Sequence, residues 1–318
     1  MGSYFLFIAV GLLLLYVGAE GLVRGSSALA LRFGVTPLVV GLTVVAFGTS
    51  SPELVVSVRA SLDNNGPLAL GNVIGSNICN VALILGLSAM IRPMKVHLQV
   101  VRTEIPVMIG TSLVLLLFLF DGSIGRLKAF FLFAGIIFYT VFSILRARKE
   151  RDKLQEKELV PGGMSGLSHR LWLSIIFILV GLLMLVAGAS SLVKGAIGVA
   201  QSLGVSQAVI GLTIVAIGTS LPELVTSIVA SIKKEEDIAI GNVVGSNIFN
   251  ILAILGAAGL VNPMESGALR FGNLVVMVFV AILTLPLAKS GFVLNRIEGA
   301  VLFFICIGYM YLLIMNIL

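Results

Sequence analysis

Two glutamates in this chain lie where a charge is expensive. Glu53 falls within Gly48-Thr49-Ser50-Ser51-Pro52-Glu53 and Glu223 within Gly218-Thr219-Ser220-Leu221-Pro222-Glu223, each motif inside a long apolar run. A charge at the centre of a bilayer costs roughly 2.5 to 3.5 kcal/mol on insertion scales, so two such carboxylates imply a function that offsets the cost. The surroundings recur with them. Gly41 to Ser57 matches Gly211 to Ser227 at 13 of 17 positions, and Gly71-Asn72-Val73-Ile74-Gly75-Ser76-Asn77-Ile78-Cys79-Asn80 matches Gly241 to Asn250 at 8 of 10, both at an offset of 170. The chain is a duplication.

Pro52 and Pro222 lack a backbone donor and Gly48 and Gly218 loosen the same turn, so each helix should break near Thr49 and Thr219. Carbonyls freed around Ala46 to Thr49 and Ala216 to Thr219 then need a partner that lipid does not offer. Glu53 and Glu223 follow Thr49 and Thr219 by four residues and share their helix face. Ser76 with Asn80, and Ser246 with Asn250, are likewise four apart. Pooled from both halves, these groups form an all-oxygen site with two negative charges, which suits a hard divalent cation such as calcium. Neither motif holds a cysteine or histidine, which argues against zinc or copper. The glycines and asparagines of Gly71-Asn72-x-x-Gly75 and Gly241-Asn242-x-x-Gly245 fit close helix packing better than coordination. Ser57 and Ser227 could simply bond back to their own helices. Glu20 has Ser190 as its counterpart and is expected near the membrane interface, away from the centre.

The elements that must position these groups are membrane spans. Hydrophobic residues make up 58% and charged ones 11% of 318 residues, and the mean hydropathy is +1.12, which leaves no length for a soluble domain. Apolar runs fall at about 4–23, 36–60, 68–91, 104–120, 126–145, 171–193, 205–231, 238–261, 271–289 and 297–316. The expected fold is therefore an all-α polytopic membrane protein of ten helices, with a five-helix half at 1–145, a linker at 146–170 and a second half at 171–318. The repeated segments occupy about 36–91 and 205–261, with helices 2 and 7 broken. Equivalent spans are five apart, an odd number, so the second half crosses in the opposite sense. With the N-terminus outside, the cytoplasmic loops and linker collect 16 of the 21 Lys and Arg residues, the positive-inside arrangement. Cys79 and Cys306 lie in apolar spans and read as core; His97 and His169 fall in loops.

At these motifs the chain resembles the sodium/calcium exchanger family of the cation/calcium antiporter superfamily, in its short prokaryotic or archaeal form. The likeness covers the whole chain. It implies a secondary antiporter in the cell membrane with Na+ and Ca2+ as substrates, no cofactor and no enzymatic activity. By motif position, calcium would take the carboxylates of Glu53 and Glu223 and the carbonyls of Thr49 and Thr219. Sodium would use the same glutamates with Ala46, Ser50 and Ser246 on one side and Ala216, Ser220 and Ser76 on the other, and Asn80 and Asn250 would line the middle. Some potassium-dependent relatives carry an aspartate where Asn250 stands, so no potassium requirement is expected. Proton-coupled relatives tend to carry a glutamate where this chain has Gly75 and Gly245.

Two rivals stand beside this reading, a proton/calcium antiporter and a cation channel. An intramembrane hydrolase lacks support, because no serine is paired with lysine or histidine at depth. Nothing calls for nucleic acid; the expected surroundings are lipid, and a monomer suffices.

Overall fold

A computed structural model describes residues 2–155, 171–203, 216–267 and 269–315. It is almost wholly helical: α1 (Gly2–Phe33), α2 (Pro37–Thr49), α3 (Ser51–Leu62), α4 (Gly66–Ile91), α5 (Val100–Phe118), α6 (Arg126–Gln155), α7 (Leu171–Ser202), α8 (Ala216–Gly218), α9 (Leu221–Ile232), α10 (Glu236–Val261), α11 (Phe271–Lys289) and α12 (Arg296–Ile314). Eight of these are long and apolar enough to cross a membrane, and the bent pair α2 and α3 would make nine. The span expected at 205–231 begins on residues outside the described set, and what is described of it is the short α8 and α9. The linker's first residues continue α6 to Gln155; the rest, with His169, lie outside the described residues.

Helices α1 and α7, equivalent under the 170-residue offset, pack along their whole length through small residues. Gly11 meets Gly188, Gly18 meets Gly181, Gly25 meets Ser174 and Gly195 meets Tyr4. Each step of seven up α1 is a step of seven down α7, so the two run antiparallel. A β-carbon on Gly18 would stand 2.8 Å from the Gly181 carbonyl oxygen, and one on Gly181 would stand 2.7 Å from that of Gly18. Backbones this close need glycine on both sides, since lipid supplies no hydrophobic drive and packing must come from close contact.

Short strands tie the halves together at the two ends of the bundle. Strand β1 (Met94–Lys95) pairs with β4 (Val293–Leu294), and β2 (Ser123–Ile124) with β3 (Met264–Glu265), both antiparallel. At the β1–β4 end, where α6 stops and α7 starts, several polar contacts hold the turn between α9 and α10. Lys233 Nζ donates to Glu20 Oε1 at 2.7 Å, Ser27 Oγ to Glu235 Oε1 at 3.0 Å, and the Lys95 amide to Glu236 Oε2 at 3.2 Å. His97, an exposed loop residue, faces Asp237 at 3.3 Å. Glu20 thus sits at the end of the bundle, as its lack of a repeat suggested.

Candidate ion-binding site

The broken helix forms because Pro52 cannot donate to the Gly48 carbonyl one turn earlier. That carbonyl accepts the Ser51 hydroxyl at 2.8 Å instead, and α2 and α3 diverge by 48°. The non-helical residue is Ser50, at φ −83° and ψ 8°, with Ser220 at φ −89° and ψ 8° in the second copy. In the first copy the break thus falls one residue beyond Thr49, and in the second Thr219 and Ser220 both stand between α8 and α9. Not every carbonyl near it is freed: that of Ala46 accepts the Ser50 amide at 3.0 Å. Ala216 opens α8. Three π-helical turns surround the site, at Gly41–Val45, Cys79–Leu85 and Asn250–Ile254. They place Ala46 just after the first, Asn80 inside the second and Asn250 at the start of the third, in keeping with the frequent use of such turns at functional positions.

The two carboxylates are each 1% exposed, and each is held by the other half of the chain. Ser220 Oγ donates to Glu53 Oε1 at 3.1 Å, and Ser50 Oγ to Glu223 Oε1 at 2.8 Å. Ser76 lies 3.4 Å from Ser220, oxygen to oxygen. Behind them, Asn72 Nδ2 donates to the Glu53 carbonyl at 3.3 Å and to Ser57 Oγ at 2.9 Å. Asn242 does the same for the Glu223 carbonyl and Ser227, at 3.3 and 2.9 Å, and its Oδ1 accepts from Thr49 Oγ1 at 3.0 Å. Ser57 and Ser227 thus serve the asparagines rather than their own helix turns. The packing role expected of the glycines holds for Gly241 and Gly245, which lie against the backbone of Leu38 and Leu42. It does not hold for Gly75, which meets nothing within 4 Å; Gly71 and Gly75 instead line a cavity.

The oxygens left over define what the site can hold. Among the described residues, the buried carboxylate or amide oxygens with no hydrogen-bond partner are Glu53 Oε2, Glu223 Oε2, Asn80 Oδ1 and Asn250 Oδ1. The hydroxyls of Thr219 and Ser246, from the same motifs, are unpartnered too. Buried acceptors without donors are costly, and oxygens are the ligands that hard cations take. Among the described residues no group of three or more His, Cys, Asp or Glu side chains gathers elsewhere as an alternative metal centre.

Cavities of about 420 and 360 Å³ flank α3 and both reach Thr219. The first is lined by Pro52, Val55 and Ser190, the second by Asn72, Ser76 and Asn273. The first spans the level of Glu53, from Ser51 to Val56; the second lies on its β2–β3 side, since α3 runs on from there to the turn where Gly66 packs on Glu265.

Sequence reasoning reached the glutamates, hydroxyls and terminal asparagines of the motifs, but it missed Asn77 and Asn247. Asn80 Nδ2 donates to Asn247 Oδ1 at 3.1 Å, and Asn250 Nδ2 donates to Asn77 Oδ1 at 3.0 Å. The signal was present, because both asparagines recur at the offset three residues before Asn80 and Asn250.

Fold and motifs together define a polytopic membrane protein whose buried, oxygen-rich centre is assembled from two copies of one motif. Comparison with known proteins gives the family. The profile described as "Sodium/calcium exchanger protein" matches residues 3–145 and again 173–315. The chain is 37% identical over 317 residues to the putative antiporter CaxA of Alkalimonas amylolytica, covering 97% of this chain and 98% of that one. It is 32% identical over 342 residues to the sodium/calcium exchanger MaX1 of Methanosarcina acetivorans, covering 97% and 98%. Among solved structures it is similar to the sodium-calcium exchanger NCX_Mj soaked with zero Na+ and Ca2+, with a TM-score of 0.85, 30% identity and coverage of 98% and 99%. The chain belongs to the sodium/calcium exchanger family, and so is a multi-pass membrane cation/Ca2+ antiporter and not an enzyme.

Proposed function

We propose that this protein exchanges Na+ for Ca2+ across the cell membrane by alternating access at a site built on Glu53 and Glu223. Ten spans, five in 1–145 and five of opposite sense in 171–318, would place both termini outside and the linker, 146–170, in the cytoplasm. The observation that carries the reading is the reciprocal clasp. Each carboxylate is held through one oxygen by a serine of the other half, and its second oxygen is left for an ion. Calcium would take those oxygens with the carbonyls of Thr49 and Thr219. Sodium would share the glutamates, with Ala46, Ser50 and Ser246 on one flank and Ala216, Ser220 and Ser76 on the other, and with Asn80 and Asn250 between.

Coupling follows from charge. Two carboxylates in a low-dielectric interior are tolerable in transit only when neutralised, so one ion type must replace the other before the protein changes state. Leak of an empty site is suppressed by the same cost. If more than two Na+ move per Ca2+, each net charge responds to voltage by about 2.3 kcal/mol per 100 mV. Neutral Asn80 and Asn250 supply no further charge for K+.

The test is Ca2+ uptake into proteoliposomes holding the full chain, under an imposed Na+ gradient and separately under an imposed pH gradient. Uptake should follow the Na+ gradient, be unchanged by removing K+, and be absent with the pH gradient alone. Uptake driven by the pH gradient would assign protons as the counter-ion and overturn the sodium reading.

A further inference from the structure

The four asparagines at the centre form a crossed pair of struts. Asn77, Asn80, Asn247 and Asn250 are each no more than 2% exposed. An amide side chain has a sense: its oxygen attracts a cation and its NH₂ repels one, yet the two ends are nearly the same size. Asn80 and Asn250 can help hold a cation only if something fixes which end faces the site. Their own helices do not, because each nitrogen is engaged by the opposite half: Asn250 Nδ2 by Asn77 Oδ1, and Asn80 Nδ2 by Asn247 Oδ1.

One strut has an unambiguous anchor. Asn77 Nδ2 donates to the backbone carbonyl of Asn247 at 3.3 Å. A main-chain carbonyl only accepts, so Asn77 must present its nitrogen there and its oxygen to Asn250. Asn250 must then present its nitrogen to Asn77 and its unpartnered oxygen elsewhere. In the other strut Asn247 Nδ2 lies 3.4 Å from the sulfur of Met108, a weaker acceptor. Reversing Asn80 or Asn250 would set oxygen against oxygen in the strut and aim a donor at the site.

We infer that Asn77 and Asn247 are positioning residues that fix the amide sense of Asn250 and Asn80 across the interface between halves, and through it the affinity of the central site for cations. The inference rests on the reading of Asn80 and Asn250 as lining the ion site. It adds a dependence: the amide donated by each half is oriented by the other, so the site is intact only while the halves are in register. Outer partners of metal ligands typically change affinity by about 10- to 100-fold when removed.

The test is equilibrium binding of radioactive Ca2+ to the purified full chain, with the ion-free thermal midpoint measured alongside. Leucine matches asparagine in size and can neither donate nor accept. Asn77→Leu and Asn247→Leu should each raise the Ca2+ dissociation constant by about 10-fold or more, with ion-free protein still folded and the number of sites unchanged. If a leucine variant does not fold, the serine variant at that position takes its place. A double-mutant cycle adds a readout that general disruption would not give. Asn77→Leu should couple with Asn250→Leu, so that the double variant binds about as weakly as either single one, and should be additive with Asn80→Leu, although Asn80 is its neighbour on the same helix. An unchanged dissociation constant in folded Asn77→Leu, or coupling to Asn80 equal to that with Asn250, overturns the inference. Wild-type protein that binds no Ca2+ would instead remove the site reading on which it stands.

Discussion

Glu53→Gln or Glu223→Gln should each abolish Ca2+ uptake, with a loss greater than about 100-fold, since even the partners behind metal ligands are worth 10- to 100-fold. Glutamine keeps the length of the side chain and an oxygen to accept the Ser220 or Ser50 hydroxyl, so the clasp between halves survives. What changes is the second position. An oxygen with no protein partner becomes an NH₂ group, and the formal charge of the pair falls from two negatives to one. A divalent cation then meets a donor where it needs a ligand, and cannot be neutralised. Stability should move the other way, because a neutral amide is easier to bury than a carboxylate. The ion-free thermal midpoint of either variant should therefore equal or exceed that of the wild type. Normal uptake by either variant would contradict the shared-carboxylate site.

Gly181→Val should damage the protein as strongly by a different route. The added β-carbon would stand 2.7 Å from the Gly18 carbonyl oxygen and 2.8 Å from the Leu22 nitrogen. Both are backbone atoms of a long helix, which cannot turn aside as a side chain could, so α1 and α7 must separate. Overpacking costs about 1 to 3 kcal/mol even where side chains can adjust, and parting two backbones should lie at or above the top of that range. The control is Gly308→Val on α12, where a β-carbon meets nothing within 4 Å. In detergent, Gly181→Val should lower the thermal midpoint by about 5 °C or more and reduce transport, with Gly308→Val close to wild type. Equal behaviour of the two would mean that the α1–α7 contact is not backbone on backbone.

Much of this was legible in the sequence because it depends on local chemistry repeated twice. A proline inside a helix removes a backbone donor and a glycine loosens the turn before it, and the break lies at Ser50, next to the predicted Thr49. A glutamate recurring beside hydroxyls in an apolar run announces a buried polar site, and both carboxylates are buried. The family likeness seen in Gly-Thr-Ser-x-Pro-Glu and Gly-Asn-x-x-Gly-Ser-Asn is shown by matches over both halves.

What was not legible depends on how the halves meet. Asn77 drew no reading from the sequence, since its partners Asn250 and the Asn247 carbonyl are 173 and 170 residues away. The π-helical turns at Cys79 and Asn250 leave no mark in composition. The carbonyl freed by Pro52 takes the Ser51 hydroxyl, but Leu221 at the equivalent place has none to offer, a departure from the repeat that only coordinates made meaningful. Gly71 and Gly75 looked interchangeable with Gly241 and Gly245, yet one pair lines a cavity and the other packs on α2.

The most direct measurement is equilibrium Ca2+ binding to the purified protein at increasing Na+. If Glu53 and Glu223 serve both ions, Na+ should raise the apparent Ca2+ dissociation constant more steeply than in simple proportion, because more than one Na+ must leave for each Ca2+ that enters, while the number of Ca2+ sites stays the same. Ca2+ binding indifferent to Na+ would contradict the account.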